Sequence, residues 1–176
     1  MGYRSETQKK NLAWFLPRPK PDHYKGGMPL YCEEWLMELA IDILACPNPR
    51  ILNVFCGMNK FGFRVDLNEE VKPDLVCDIH HLSDHLHDKF DVILADPPYS
   101  NEEQKKLYGD KFPKLSYSKW SKECTKLLDQ NGLFIVYHKT LMPNPDPTIY
   151  SIAKRVFIGN RVYHVARIAV YYQKVR

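Results

Sequence analysis

The sequence predicts an open, mostly parallel α/β sheet, and three observations carry that prediction. Apolar runs three to six residues long recur through the middle of the chain, each closed by a turn residue or followed by an aspartate. Segments with an apolar stripe at helical period alternate with them. Near the C-terminus a run rich in β-branched residues, the pair Gly159-Asn160 and a second alternating run read as a hairpin, hence an antiparallel edge on the sheet.

In chain order, residues 1–29 are polar and carry Pro17, Pro19, Pro21 and Pro29, which predicts an extended arm. From Glu33, apolar residues fall at Trp35, Leu36, Leu39, Ala40, Ile43 and Leu44, one helical face that Pro47 and Pro49 end. Strands are expected at Ile51–Phe55, Phe63–Leu67, Leu75–Cys77, Phe90–Ala95 and Leu133–Tyr137. Their shortness and β-branched content favour buried strands over helices. Trp120, Cys124, Leu127 and Leu128 mark a helix before the last of these, with Asn131-Gly132 as its C-cap. Arg155–Ile158 and Val162–Gln173 form the hairpin arms.

The composition bounds the function classes. At 44% apolar and 26% charged residues the chain is globular rather than disordered, and its length fits a single domain over 1–176. No apolar run approaches the length of a membrane span, so no membrane association is expected. The first residues, MGYRSETQKK, lack an apolar signal core. Five scattered cysteines without a CxxC pair argue against a disulfide framework or a zinc knuckle. A cytoplasmic location is therefore expected.

The net charge of +4 conceals an asymmetry. Residues 66–103 hold eleven carboxylates against two lysines, whereas residues 139–176 hold seven Lys/Arg against one Asp. Residues 105–126 add seven lysines against two acids. An acidic middle suits a cationic ligand and basic flanks suit a polyanion.

In parallel α/β sheets ligands bind beyond the carboxyl ends of the strands. Here those ends carry Gly57, Asp66, Asp78 and Asp96. The sharpest signal is Asp96-Pro97-Pro98-Tyr99 after the strand DVILA. Two prolines remove two N–H groups, so the turn presents acceptors without competing donors. A carboxylate beside a backbone carbonyl can accept both hydrogens of an amino group. An aromatic ring close behind can stack on a planar heterocycle.

On these residues the chain resembles the class I S-adenosylmethionine-dependent methyltransferases. More narrowly, it resembles the amino-group enzymes with an Asp/Asn-Pro-Pro-Tyr/Phe tetrad, which include DNA adenine-N6 and cytosine-N4 methyltransferases. The resemblance covers about residues 23–175. It is full at Asp96–Tyr99, partial at the glycine loop Val54-Phe55-Cys56-Gly57, and extends to the acidic positions Asp66 and Asp78. His23-Tyr24-Lys25-Gly26-Gly27-Met28-Pro29 is similar to an upstream cofactor motif of such enzymes. Small bacterial and phage members share the overall order Tyr-x-Gly-Gly-x-Pro, Phe-x-Gly-Met, Arg-Val-Asp, Asp-Pro-Pro-Tyr-Ser.

The resemblance implies a Rossmann-like fold and S-adenosyl-L-methionine as cofactor. It implies cofactor contacts from Tyr24, Lys25, Gly26, Phe55, Cys56, Gly57, Met58, Asp66, Asp78 and Ile79. Asp66 would hold the ribose hydroxyls, and Asp78 with Ile79 would face the adenine. It also implies Asp96, Pro97, Pro98 and Tyr99 as the catalytic turn, acting on a nucleobase amino group. A nucleic-acid partner follows, with adenine N6 in DNA favoured over an RNA base; a catalytically degenerate binding module is the non-enzymatic alternative.

Two departures stand out. The second glycine of the usual loop is absent, since the sequence runs Cys56-Gly57-Met58-Asn59. Only Met58–Gly62 separate Gly57 from the next strand, far short of the dozen residues a crossover normally takes. The first crossover helix is thus predicted to be missing and replaced by a taut return, which leaves the cofactor's methionine end less covered. The arm with Tyr24, Lys25 and Gly26 is the candidate for that wall.

Two further segments were singled out. Residues 100–116 are expected to be irregular, with Lys105, Lys106, Tyr108, Lys111 and Lys114 offering basic and aromatic groups to a nucleic-acid strand, a plain solvated helix-loop being the alternative; Lys105, Lys106, Tyr108 and Lys111 are the candidate substrate contacts. His80, His81, His85 and His87 cluster, but a surface helix explains them better than a metal site.

Overall fold

The computed structural model describes residues 13–17, 27–108, 113–160 and 165–176. Eight strands form one sheet: β1 (Ala13–Leu16), β2 (Ile51–Val54), β3 (Phe63–Asp66), β4 (Leu75–Val76), β5 (Phe90–Ala95), β6 (Leu128–His138), β7 (Tyr150–Asn160) and β8 (Arg167–Lys174). Their spatial order is β1-β7-β8-β6-β5-β2-β3-β4. Every pairing is parallel except those of β8, which runs against both β6 and β7. The helices are α1 (Cys32–Leu44), the one-turn α2 (Leu82–His85), α3 (Asn101–Tyr108) and α4 (Tyr117–Lys126).

Alternation along each central strand divides the core into two layers. In β5, Val92 and Leu94 face one side with Leu36, Leu39 and Ala40 of α1, whereas Ile93 and Ala95 face the other with Trp120 and Cys124 of α4. The same split places Leu133, Ile135 and Tyr137 of β6 toward α1, and Phe134 and Val136 toward α4. Both faces are therefore covered, which is why these strands read as continuous apolar runs. Tyr171 Oη donates to the Leu36 carbonyl at 3.1 Å, pinning α1 to β8.

The return from β2 to β3 has no crossover helix. Leu52 pairs with Phe63 and Val54 with Val65, so the chain doubles back over residues 55–62 to start a parallel neighbour. Gly62 makes this possible: its φ is +64°, and a Cβ there would lie 2.3 Å from the Ile51 carbonyl oxygen. The buried Asn53 holds the return from inside the sheet, with Nδ2 donating to the Phe61 carbonyl at 3.5 Å. The Asn59 side chain accepts from the Phe61 amide at 2.9 Å.

Four expectations are corrected. The predicted arm contains β1, whose alternating Trp14 and Leu16 are buried on the α1 side; four residues between polar and Pro-rich stretches were too short to read as a strand. The C-terminal hairpin is not the sheet edge: β8 inserts between β6 and β7, and β1 closes the far side of β7. Asn131-Gly132 is not the C-cap of α4. That helix stops at Lys126, and Leu128 already pairs with Phe90, so Asn131 (φ +63°) sits in a bulge of β6 that resumes register at Leu133. Residues 101–108, expected to be irregular, are helical. Glu102 and Glu103 in the first turn favour a helix start, and the lack of an apolar stripe hid it.

Candidate active site

Because all strands but β8 run the same way, the carboxyl ends of β2 to β6 and the start of β8 share one edge of the sheet. The strand order reverses at β2, which lies between β5 and β3, and there the ends diverge into a crevice. A cavity of about 330 Å³ occupies it. Such a volume falls in the range of clefts that take a ligand of drug size, roughly 300–1,000 Å³.

The floor is the strand tips. Phe55, Cys56, Gly57 and Met58 line the cavity after β2, Asp66 after β3, Asp78 and Ile79 after β4, and Asp96 with Pro98 after β5. The sequence-predicted cofactor residues in the described part of the chain are therefore brought together. Tyr24, Lys25 and Gly26 lie outside the described residues; the next two, Gly27 and Met28, line the cavity.

Asp66 does structural duty at once. One carboxylate oxygen accepts the Gly57 amide and the other the Asn68 amide, each at 2.9 Å. It thereby ties the loop after β2, where Gly57 has φ +49°, to the end of β3. Each oxygen keeps a further lone pair that can accept from a ligand hydroxyl. Beside it, burial and then Asp66 push the Cys56 thiol up to about 12, so this cavity-lining cysteine is a neutral thiol.

Asp78 Oδ1 accepts the His80 amide at 3.0 Å and meets His80 Nδ1 at 2.9 Å. His80 Nε2 in turn accepts the Ser116 amide at 3.2 Å. An imidazole that accepts at Nε2 carries its proton on Nδ1, facing Asp78. His80 thus couples the Asp78 tip to the start of α4, a role its place in a histidine run did not signal. Among the described residues no group of three or more His, Cys, Asp or Glu could hold a metal ion.

The tetrad is split by the turn. Asp96 and Pro98 face the cavity, and Pro97 is buried. Tyr99 is outside the cavity lining and half-buried beside the α1-side core. Its ring meets the His138 imidazole edge-on at 5.2 Å. Arg167 lies over the Tyr99 ring, with Cζ 4.2 Å from the centroid, and Lys139 Nζ lies 5.8 Å from it. Burial opposes the Arg167 charge, but a hydrogen bond to Tyr99, with Tyr99, Tyr137 and Asp96 nearby, raises its pKa. The register pairing His138 with Ile168 explains the meeting: it sets Arg167 at the end of β6, level with the tetrad.

Of the candidate substrate residues, Lys105 is exposed on α3; the side chains of Lys106 and Tyr108, and all of Lys111, lie outside those described. Gln104 of α3 is buried, its Nε2 donating to the Pro113 carbonyl at 2.9 Å, and Gln104, Pro113 and Leu115 border the cavity.

In the sequence Glu33 marks only the start of a helix. It lines the cavity from the first turn of α1. Burial, and then repulsion from Glu34, raise its carboxyl to about 7.

No family model and no curated protein matches the sequence. Solved structures do. TrmN from Thermus thermophilus superposes with a TM-score of 0.57 at 16% identity, covering 80% of this chain and 48% of that one. The N-methyltransferase NodS from Bradyrhizobium japonicum, in complex with S-adenosyl-L-homocysteine, gives 0.60 at 12% identity, covering 89% and 94%.

This is a class I methyltransferase fold.

A third similar structure, the Burkholderia thailandensis 1,6-didemethyltoxoflavin-N1-methyltransferase with 1,6-didemethyltoxoflavin and S-adenosylhomocysteine bound, gives a TM-score of 0.51 at 11% identity over 79% of this chain and 76% of that one. The chain spans about half the length of TrmN. In this chain the return from β2 to β3 carries no helix, and β1 extends the sheet beyond β7. Among the described residues no helix is long and apolar enough to cross a membrane.

Proposed function

We propose that this chain is an S-adenosylmethionine-dependent methyltransferase acting on an exocyclic amino group of a nucleobase, with adenine N6 in DNA as the favoured target. The observation that carries the reading is that Asp96 and Pro98, from the Asp96-Pro97-Pro98-Tyr99 turn closing β5, line the same cavity as Gly57, Asp66 and Asp78.

The residues present fit the cofactor. The cavity is lined by Glu33, Asp66, Asp78 and Asp96 against one lysine, Lys60, a balance that suits a sulfonium cation. Asp66 would take the ribose hydroxyls and Asp78 with Ile79 the adenine. When bound, the cofactor supplies an electrophilic methyl on a sulfur that leaves as a neutral thioether.

The protein's part is positioning. Asp96 accepts one hydrogen of the target amine and the Pro97 carbonyl the other, which turns the nitrogen lone pair out of conjugation and toward the methyl. As the new bond forms, the nitrogen gains positive charge, and the carboxylate stabilises it before the proton leaves. No strong base is required. Tyr99 offers a ring for stacking, and a duplex target would have to be flipped out to reach it. Lys139 and Arg167 beside that ring support a phosphate-bearing substrate.

The test is transfer of a labelled methyl group into DNA, RNA and protein offered separately, followed by nucleoside analysis. N6-methyladenine in DNA is the expected product. Label in RNA alone would replace DNA as substrate, and label in protein alone would refute the nucleobase reading.

A further inference from the structure

We infer that Glu33, at the first turn of α1, is the residue that receives the ammonium group of the cofactor's amino-acid end, standing in for the wall that the missing crossover helix leaves open. The inference rests on the cofactor reading above and adds to it a contact that the tetrad and the strand tips do not include.

The cavity has four acidic liners, and three of them are already committed. Asp66 holds two backbone amides at the ribose end, Asp78 is bound to His80 on the adenine side, and Asp96 belongs to the catalytic turn. Glu33 remains. It lines the cavity together with Gly27 and Met28, and so do Asn59, Lys60 and Phe61 of the return segment. Among the described residues no cation pairs with it, and no hydrogen-bond donor satisfies it. A partly buried carboxylate without a partner is costly, and a fold retains one where a ligand completes it.

Its placement is rigid. Cys32 and Leu36, flanking it on α1, are fully buried, and the Cys32 amide closes onto the Pro29 carbonyl at 3.0 Å. These contacts fix the helix backbone that carries Glu33 on the cavity lining. The cofactor's amino-acid end carries one ammonium and one carboxylate. Glu33 and Lys60 are the oppositely charged side chains on the cavity lining that could match them, and Lys60 lies on the return that replaces the absent helix.

The charged or titratable groups around Glu33 are Glu34 on its own helix, the Cys32 thiol, and, against that thiol, Asp96 at the end of β5 and the Tyr137 phenol of β6. Burial and then Asp96 push that thiol far up, so it stays neutral. With Glu33 raised to about 7, an arriving ammonium draws the carboxyl back to its ionised form. Binding should then release a proton near pH 6.5, and affinity should rise between pH 6 and 8.

The experiment is calorimetry with two probes on the full chain. S-adenosylhomocysteine has the ammonium; 5′-methylthioadenosine lacks the whole amino-acid end. Glu33→Gln keeps shape and removes the charge. It should weaken S-adenosylhomocysteine about ten- to a hundredfold, the range of a charge-assisted hydrogen bond, and leave 5′-methylthioadenosine unchanged. Titration at pH 6.5 in two buffers of different ionisation enthalpy should show proton release for the parent and none for the variant. Equal weakening of both probes, or unchanged S-adenosylhomocysteine affinity, overturns the inference while leaving the cofactor reading intact. Failure of the parent to bind either probe overturns both. If Glu33→Gln does not fold, the two-buffer titration of the parent decides alone: no proton release refutes the role.

Discussion

Replacing Gly62 by alanine tests the physical basis of the site's shape. Residue 62 has φ +64°, a region that costs a residue with a Cβ about 1–2 kcal/mol. The new methyl would also meet the Ile51 carbonyl oxygen at 2.3 Å, Ile51 Cβ at 2.7 Å and the Ile51 carbonyl carbon at 2.9 Å. Two of those three atoms are backbone of β2, paired to both β3 and β5, so they have little room to give. Forcing an extra carbon into such a site costs roughly 1–3 kcal/mol. Together the loss is about 3 kcal/mol, and for a chain of this size it lowers the melting temperature by about 6–12 °C. Thermal unfolding followed by circular dichroism measures it. Because the displaced segment carries Asn59, Lys60 and Phe61, S-adenosylhomocysteine binding should weaken in the folded fraction as well. A melting temperature within about 2 °C of the parent would show that the return is not taut and that its glycine is dispensable.

Further changes separate the parts of the site. Asp66→Ala removes the acceptor of both the Gly57 and Asn68 amides; stability should fall by about 1–3 kcal/mol, and S-adenosylhomocysteine affinity should fall further than loss of the 2′- and 3′-hydroxyls from the ligand (a 2′,3′-dideoxy analogue) would explain. Arg167→Ala should weaken binding of a short oligonucleotide and flatten its dependence on salt, with S-adenosylhomocysteine affinity unchanged, as fluorescence anisotropy and calorimetry would report. In the apoprotein, Glu33→Gln should raise the melting temperature at pH 8 and leave it unchanged at pH 4. The parent's carboxyl is protonated in both folded and unfolded chains at the lower pH, but at the higher pH must be ionised in a partly buried place.

The strands and their tips were legible because period and punctuation coincide. DVILA followed by Asp-Pro-Pro marks a buried strand and its end whatever the rest of the chain does, and five residues between Gly57 and Phe63 leave no space for a helix. Other features depend on residues far apart in sequence. Arg167 reaches Tyr99 only because β8 inserts beside β6, and His80 meets Ser116 only because α4 packs beside the end of β4. Helix α3 lacks an apolar stripe, so periodicity had nothing to register; its buried contact is the polar Gln104. Glu33 reads as an ordinary acidic residue in a first helical turn until the cavity in front of it is seen. The charge asymmetry found its meaning in the same way: acidic residues of the middle segment surround the cavity, and Lys139 and Arg167 of the basic C-terminal segment stand at Tyr99.

The most direct test of the central claim is a paired measurement on Asp96→Ala, combining calorimetric binding of S-adenosylhomocysteine with transfer of labelled methyl to adenine-containing DNA. With the carboxylate gone, cofactor affinity should stay within a few-fold of the parent and transfer should fall to background. Methyl transfer at the parent's rate would mean that the corner at the end of β5 does not hold the target nitrogen.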